Sequence, residues 1–95
     1  MKMPEKTIRL RISGTVQGVG YRIWATRTAA ALGLRGWVRN RLDGSVEALV
    51  SGAPDAVCAM VEASRNGPSG ARVTEVAVTP AEDDGRDGFA ALPTE

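Results

Sequence analysis

The sequence contains no histidine and only one cysteine, Cys58. Without histidine, the chain has no imidazole for acid–base catalysis or metal binding. A lone cysteine cannot close an internal disulfide, and a chain with neither histidine nor a cysteine pair is a poor candidate for a zinc site. We therefore expect no metal, and we expect Cys58 to be a small residue of the hydrophobic core.

The chain also lacks a long apolar run near its N-terminus. Residues 1–14 begin Met-Lys-Met-Pro-Glu-Lys and continue as a segment in which apolar and polar residues alternate. This pattern is typical of neither a signal peptide nor a membrane span. We expect a soluble, cytoplasmic and monomeric protein, and its 95 residues predict one domain over residues 1–95.

The net charge of +1 conceals a strong asymmetry. Residues 1–41 carry nine Lys or Arg and one acidic residue, a net charge of +8, whereas residues 42–95 carry three basic and ten acidic residues, a net charge of −7. A basic first half suits an anionic ligand. It is also compatible with a weak nucleic-acid surface, or with two halves that attract each other in the fold. Composition alone leaves these three interpretations open.

Hydrophobic periodicity predicts six regular elements. They are a strand over residues 8–13, a helix from Tyr21 to a stop at Gly33, a strand over 35–40, a strand over 46–50, a helix from Pro54 to a stop at 66–68, and a strand over 72–79. The turn at 41–44 predicts a hairpin with Gly44 at positive φ. An acidic loop at 80–88 precedes Phe89 to Leu92, which predict a short final strand.

The order β-α-β-β-α-β predicts an α+β fold of the ferredoxin-like, split βαβ type. In this arrangement, an antiparallel sheet carries both helices on one face. Right-handed crossovers place the first and fourth elements, the strands at 8–13 and 46–50, adjacent or central in the sheet. The second helix is expected to turn an apolar stripe toward that sheet, formed by Val57, Cys58, Val61 and Ser64 with Met60 beside it.

The segment from Gly14 to Arg22 joins the first strand to the first helix and contains glycines at 18 and 20. Without Cβ atoms at these two positions, successive backbone N–H groups can converge on one anion. The helix adds its unpaired N–H groups and its dipole, and Arg22 adds a forked cationic donor. No Gly-Lys-Ser/Thr follows and Ile23 occupies the third glycine position, so this is neither a P-loop nor a dinucleotide fingerprint. Spacing alone is compatible with an anion site or with a tight turn and a solvated arginine.

Two motifs together carry a family resemblance. Val16-Gln17-Gly18-Val19-Gly20-Tyr21-Arg22 is followed by Gly36-Trp37-Val38-Arg39-Asn40 and then by Asp43-Gly44-Ser45-Val46-Glu47. In this order the motifs resemble the two signatures of the acylphosphatase family, with tyrosine at position 21 where phenylalanine is commoner. The resemblance extends over residues 8–79, most of the chain.

The resemblance implies an enzyme that hydrolyses the carboxyl–phosphate bond of acyl phosphates, with neither a metal nor an organic cofactor. It implies that Arg22 binds the phosphate and that Asn40 orients the attacking water. The substrate-binding residues that it implies are Gln17, Gly18, Val19, Gly20, Tyr21 and Arg22. We then expect a small acyl phosphate as the partner, without nucleic acid or membrane.

The chemistry that the residues offer is compatible with this reaction. An acyl phosphate is a mixed anhydride with a good leaving group, so catalysis consists of holding the phosphoryl oxygens and positioning one water in line. A covalent phosphoenzyme is disfavoured, because Asp-x-Asp is absent and Arg65 lies seven positions after Cys58. The cysteine phosphatase signature has its arginine one position earlier.

Some residues have a second interpretation. Asn40 can be a turn residue that favours the hairpin at 41–44, and Gln17 can line the loop or face solvent. Trp24 and Trp37 are interpreted as packing residues. A solvated basic face that steers anions is the interpretation for Arg9, Arg11, Arg39 and Arg41.

Two alternative functions apply to the whole chain. One is an RNA-binding module of the same topology, which needs exposed aromatic residues on its central strands. Residues 45–52 contain none. The other is a non-catalytic, anion-sensing domain like the acylphosphatase-like part of the hydrogenase maturation protein, and a turnover assay would separate it from an enzyme.

Overall fold

The computed structural model describes residues 4–95 and contains the predicted elements in the predicted order, followed by a short final strand. The elements are β1 (Lys6–Thr15), α1 (Tyr21–Ala31), β2 (Arg35–Asn40), β3 (Val46–Gly52), α2 (Pro54–Ser64), β4 (Arg72–Pro80) and β5 (Phe89–Ala91). Residues 1–3 of the predicted domain 1–95 lie outside the described part of the chain. Within residues 4–95, no helix is long and apolar enough to cross a membrane.

The strands form one sheet in the order β4-β1-β3-β2-β5. β1 and β3, the first and fourth elements, are adjacent and central, as predicted. β3 pairs antiparallel with β1 on one side and with β2 on the other. β1 and β2 therefore run in the same direction, and their C-terminal ends lie at the same end of the sheet.

The expectation of a wholly antiparallel sheet is wrong at one edge, where β5 pairs in parallel with β2. After β4 the chain crosses the end of the sheet at which β1 and β2 begin, and the Gly36 N–H donates to the Gly88 carbonyl there. Arg35 holds this crossing through an ion pair with Asp83 at 2.6 Å. The chain leaves β4 at this end of the sheet, passes β1, β3 and β2, and turns back beside β2. β5 therefore runs in the same direction as β2, and β2 and β5 pair in parallel.

Both helices pack on one face of the sheet, as predicted. Alternate residues of β1 and β3 and the inward residues of α1 and α2 join in a single apolar cluster. Its members include Ile8, Leu10, Ile12, Tyr21, Ala25, Ala29, Val46, Ala48, Val50, Val57 and Met60. The single cluster places α1 and α2 on the same layer above the central strands.

Cys58 is exposed, and its prediction as a core residue is wrong. α2 turns Val57, Met60 and Ser64 toward the sheet, a spacing of i, i+3 and i+7 that follows one helical stripe. Cys58 lies about 100° around the helix axis from Val57, which carries it off that stripe.

The other face of the sheet is covered by side chains instead of helices. Glu47 lies on this face and yet is only 7% exposed. Its carboxylate is surrounded by Arg9 at 3.3 Å, Arg39 at 3.2 Å and Arg41 at 3.4 Å. Arg39 also lies over the ring of Trp37, 4.6 Å from its centroid. These three arginines form part of the predicted basic face, but they are paired with Glu47, and Arg39 packs over the buried Trp37. Arg11, the fourth predicted member, pairs with Asp43.

Candidate active site

The loop after β1 and the C-terminal end of β2 lie at the same end of the sheet. Val46 of β3 is opposite Ile12 of β1 and also opposite Asn40 of β2. Ile12 and Asn40 are therefore two strand spacings apart, about 10 Å. The strand register brings the loop at 14–22 close to Asn40.

The segment that we call the anion loop, residues 16–22, takes its shape from two glycines. Gly18 has a φ of 74° and Gly20 a φ of 79°, whereas no non-glycine residue within residues 4–95 has a positive φ. Val19 therefore lies between two left-handed residues without being left-handed itself. An alternation of this kind is typical of nests, in which successive N–H groups turn to one side and can bind an anion. A Cβ on either glycine would meet no atom within 4 Å, so the conformation, and not crowding, requires glycine here.

The N–H groups of the anion loop and of the first turn of α1 are available to a ligand. Among residues 4–95, none of the N–H groups of residues 17–23 has a backbone or side-chain acceptor. The first intrahelical bond runs from the Trp24 N–H to the Gly20 carbonyl at 3.0 Å. No acidic residue lies in the first turn to offset the positive end of the helix dipole. These features favour an oxyanion at this position.

Arg22 lies in the first turn of α1 and is half-buried. Its Nη1 donates to the carbonyl oxygen of Leu92 at 3.4 Å. Within the described residues, no carboxylate lies within ion-pair distance of its guanidinium. The positive charge and the remaining donors are therefore available to an anion held by the loop.

Asn40 is the last residue of β2 and lies on the same face of the sheet as Gly36 and Val38. Its backbone carbonyl accepts a hydrogen bond from the Glu95 N–H at 3.0 Å. Its side-chain amide has no hydrogen-bond partner among residues 4–95. The amide is half-buried and can both donate to and accept from one water.

The β2–β3 hairpin is held by other residues. The Asp43 Oδ1 accepts from the Ser45 N–H at 2.9 Å and from the Ser45 hydroxyl at 2.6 Å. These bonds, together with one from Arg11, hold the pKa of Asp43 well below its usual range. Gly44 has the predicted positive φ, 94°. Since Asp43 and Gly44 form the turn, the interpretation of Asn40 as the turn residue has no support from its contacts.

Gln17 is half-buried, and its side-chain nitrogen is bonded within the protein. Its Nε2 donates to the carbonyl oxygens of Arg41 and Ser45, each at 2.8 Å. It therefore ties the anion loop to the β2–β3 hairpin. The two carbonyl acceptors fix the orientation of the side-chain amide, because only its nitrogen can donate.

The side chains of Tyr21 and Val19 point away from the loop surface. Tyr21 is buried and its hydroxyl donates to the Ser64 carbonyl at 2.7 Å. Burial raises the pKa of Tyr21 to about 12. Val19 is half-buried against the core. If these two residues bind the substrate as predicted, they do so through their backbone N–H groups.

Comparison with known proteins identifies the family. A family model described as acylphosphatase matches residues 8–91. The acylphosphatase of Rhodospirillum rubrum is 54% identical over 89 residues, which cover 94% of this chain and 98% of that protein.

The chain belongs to the acylphosphatase family.

Solved structures support the fold. The crystal structure of acylphosphatase from Bacillus subtilis superposes with a TM-score of 0.87 at 38% identity, and the match covers 90% of this chain and 97% of that one. Full-length HypF in a phosphate- and nucleotide-bound form gives a TM-score of 0.88 at 25% identity, over 96% of this chain and 12% of the HypF chain. The ferredoxin-like α+β fold is confirmed. So is the assignment to an enzyme class that acts on acyl phosphates, and the alternative of a non-catalytic or RNA-binding module is not favoured.

Sequence reasoning missed one part of this acylphosphatase site, the segment after β5. The Leu92 N–H donates to the Val38 carbonyl at 2.8 Å, and the Leu92 carbonyl accepts from Arg22. Glu95 continues along β2 to reach Asn40. Because both contacts use the backbone of residues 92–95, the side chains of this segment gave no signal that could have predicted them.

Proposed function

We propose that this chain hydrolyses the carboxyl–phosphate bond of acyl phosphates by direct attack of one water. In this proposal the anion loop and Arg22 hold the phosphoryl group and Asn40 orients the water. One observation carries this proposal. The unpaired N–H groups of residues 17–23 and the unpaired side-chain amide of Asn40 lie at the same end of the sheet.

The phosphoryl oxygens are held by donors that are already in place. The N–H groups of the anion loop point into the nest, and the helix dipole and Arg22 add positive charge. Because these donors need no rearrangement, they stabilise the charge that spreads over the equatorial oxygens as the bond to the leaving group lengthens. Val19 and Tyr21 contribute backbone N–H groups, since their side chains pack elsewhere.

Asn40 positions the nucleophile. Its side-chain amide accepts one hydrogen bond from the water and donates another to it, and no titration is required. The water oxygen forms the new bond to phosphorus, and the carboxylate leaves with the electron pair of the broken P–O bond. The products are the carboxylate, inorganic phosphate and one proton. The reaction needs no strong base because the leaving group is good.

The proposal includes partners and location. We expect a monomer in the cytoplasm that acts on a small acyl phosphate and binds no nucleic acid. The expectation that the protein binds no nucleic acid is supported by Trp37, the aromatic residue on the open face of the sheet. Trp37 is buried beneath Arg39 and is therefore unavailable for stacking on a base.

Phosphate release from acetyl phosphate and from ethyl phosphate tests the reaction class. We expect turnover of the acyl phosphate, no comparable turnover of the monoester, and the same rate after treatment with a chelator. Hydrolysis of both compounds at similar rates would overturn the proposal. So would a rate that disappears with chelator and returns with a divalent cation.

A further inference from the structure

Gln17 makes the hydrogen bonds between the anion loop and the β2–β3 hairpin. Within residues 4–95, no other hydrogen bond joins residues 16–20 to residues 41–45. Both acceptors, the Arg41 and Ser45 carbonyls, belong to the closing pair of the hairpin, in which the Arg41 N–H donates to the Ser45 carbonyl at 2.8 Å. One amide therefore holds the loop against the base of the hairpin.

The two ends of this tie lie next to the two halves of the site. Gln17 directly precedes Gly18, the first glycine of the nest, and Arg41 directly follows Asn40. A shift of the loop relative to the hairpin would change the distance between an anion in the nest and a water on Asn40. Both donors of the Gln17 amide nitrogen are already used by carbonyl oxygens, so this nitrogen has no free hydrogen for the anion.

We propose that Gln17 is a positioning residue that fixes the bound phosphoryl group relative to the water on Asn40. This inference rests on the proposed function of the site. It predicts a specific kinetic effect: loss of the tie lowers kcat, because the reacting atoms are misaligned, and leaves phosphate affinity nearly unchanged, because the loop and Arg22 remain.

The test uses Gln17→Met, which keeps the length of the side chain and removes both donors. We expect kcat for acetyl phosphate to fall roughly tenfold to a hundredfold, with less than about a threefold change in the inhibition constant of inorganic phosphate. Rates are normalised to the folded fraction from circular dichroism. Gln17→Leu, which also lacks the donors and adds no charge beside the anion, is measured in parallel in case Gln17→Met does not fold.

The matched control is Thr7→Val. The Thr7 hydroxyl forms a hydrogen bond with the Ser51 hydroxyl at 2.8 Å, and this bond joins β1 to β3 at the opposite end of the sheet. Its loss is expected to lower the melting temperature without changing kcat or phosphate inhibition. The comparison separates a positioning effect from a general loss of stability.

A double variant sharpens the test. If Gln17 acts through the water on Asn40, Gln17→Met should lower kcat by less than about threefold when Asn40→Ala is already present. A full, independent loss in that background, normal kcat in both Gln17 single variants, or a strongly weakened phosphate inhibition would each overturn the positioning role. Absence of turnover in the wild-type protein would overturn the proposed function itself, a result that the variants cannot produce.

Discussion

The guanidinium of Arg22 donates a hydrogen bond at 3.4 Å to the carbonyl oxygen of Leu92, a residue 70 positions further along the chain. The contact joins the first turn of α1 to the segment that follows β5. A planar guanidinium can keep this bond and still direct other N–H groups at a phosphate. A compact ammonium group has no such fork.

Replacement of Arg22 by lysine is therefore expected to weaken both phosphate binding and turnover. The charge remains, but the forked geometry is lost, and the expected cost is about 2 kcal/mol or more in each. Phosphate inhibition constants and kcat/KM for an acyl phosphate measure the two effects. Arg27→Lys is the matched control, because Arg27 lies on the exposed side of the same helix. Equal behaviour of the two variants would show that the loop N–H groups suffice.

Replacement of Asn40 by alanine should separate chemistry from binding. Loss of the amide that orients the water is expected to raise the barrier to turnover by roughly 2 kcal/mol, while phosphate inhibition changes little. The other asparagine of the chain, Asn66, is exposed beyond α2, and Asn66→Ala serves as the control. A variant at position 40 that melts earlier but retains normal turnover of its folded fraction would identify a structural residue instead.

Gly18→Ala is expected to cost both stability and phosphate affinity. An alanine forced to a φ of 74° is strained by about 1 kcal/mol, and relief of that strain turns the neighbouring N–H groups out of the nest. Gly33 provides a close match: its φ is 71° and a Cβ there would also meet nothing within 4 Å. Gly33→Ala should lose similar stability in thermal melts and keep its phosphate affinity. Equal affinities in the two variants would argue against the nest.

Tyr21 can be followed directly in an alkaline titration, since it is the only tyrosine of the chain. Burial raises its pKa to about 12, so its absorbance change near 295 nm should have a midpoint near pH 12 in the native protein. In urea the midpoint should return to about 10. Because the folded-state pKa lies above the unfolded one, the stabilisation is complete below pH 10 and is lost as the pH rises toward 12. A native midpoint at 10 would contradict the burial of this side chain.

The sequence predicted the parts of the site that depend on local geometry. The anion loop follows from glycine spacing, and the place of Arg22 follows from the start of α1 directly after Gly20. The hairpin follows from Asp43-Gly44. The closeness of the loop to Asn40 required only the strand order, which the alternation of elements implied.

The features that the sequence did not predict depend on long-range packing. The phase of α2 was ambiguous because alanines flank its apolar residues, and this misplaced Cys58. The parallel pairing of β5 depends on where the loop at 81–88 crosses the sheet. The partners of Gln17 and Arg22 are backbone carbonyls, which every residue has, so no side-chain pattern could identify them.

The segment after β5, which runs along β2, is expected to dock late in refolding. Arg22 is bonded to Leu92 and Asn40 to Glu95, so the site joins residues from the first half of the chain to residues near position 95. Contacts of such long sequence separation pay a large loop-closure entropy, and they slow folding. In a refolding experiment, helical signal can return with α1 and α2, whereas turnover should return with the slowest phase, when residues 92–95 dock on β2. A collapsed chain with both helices formed is not yet an enzyme.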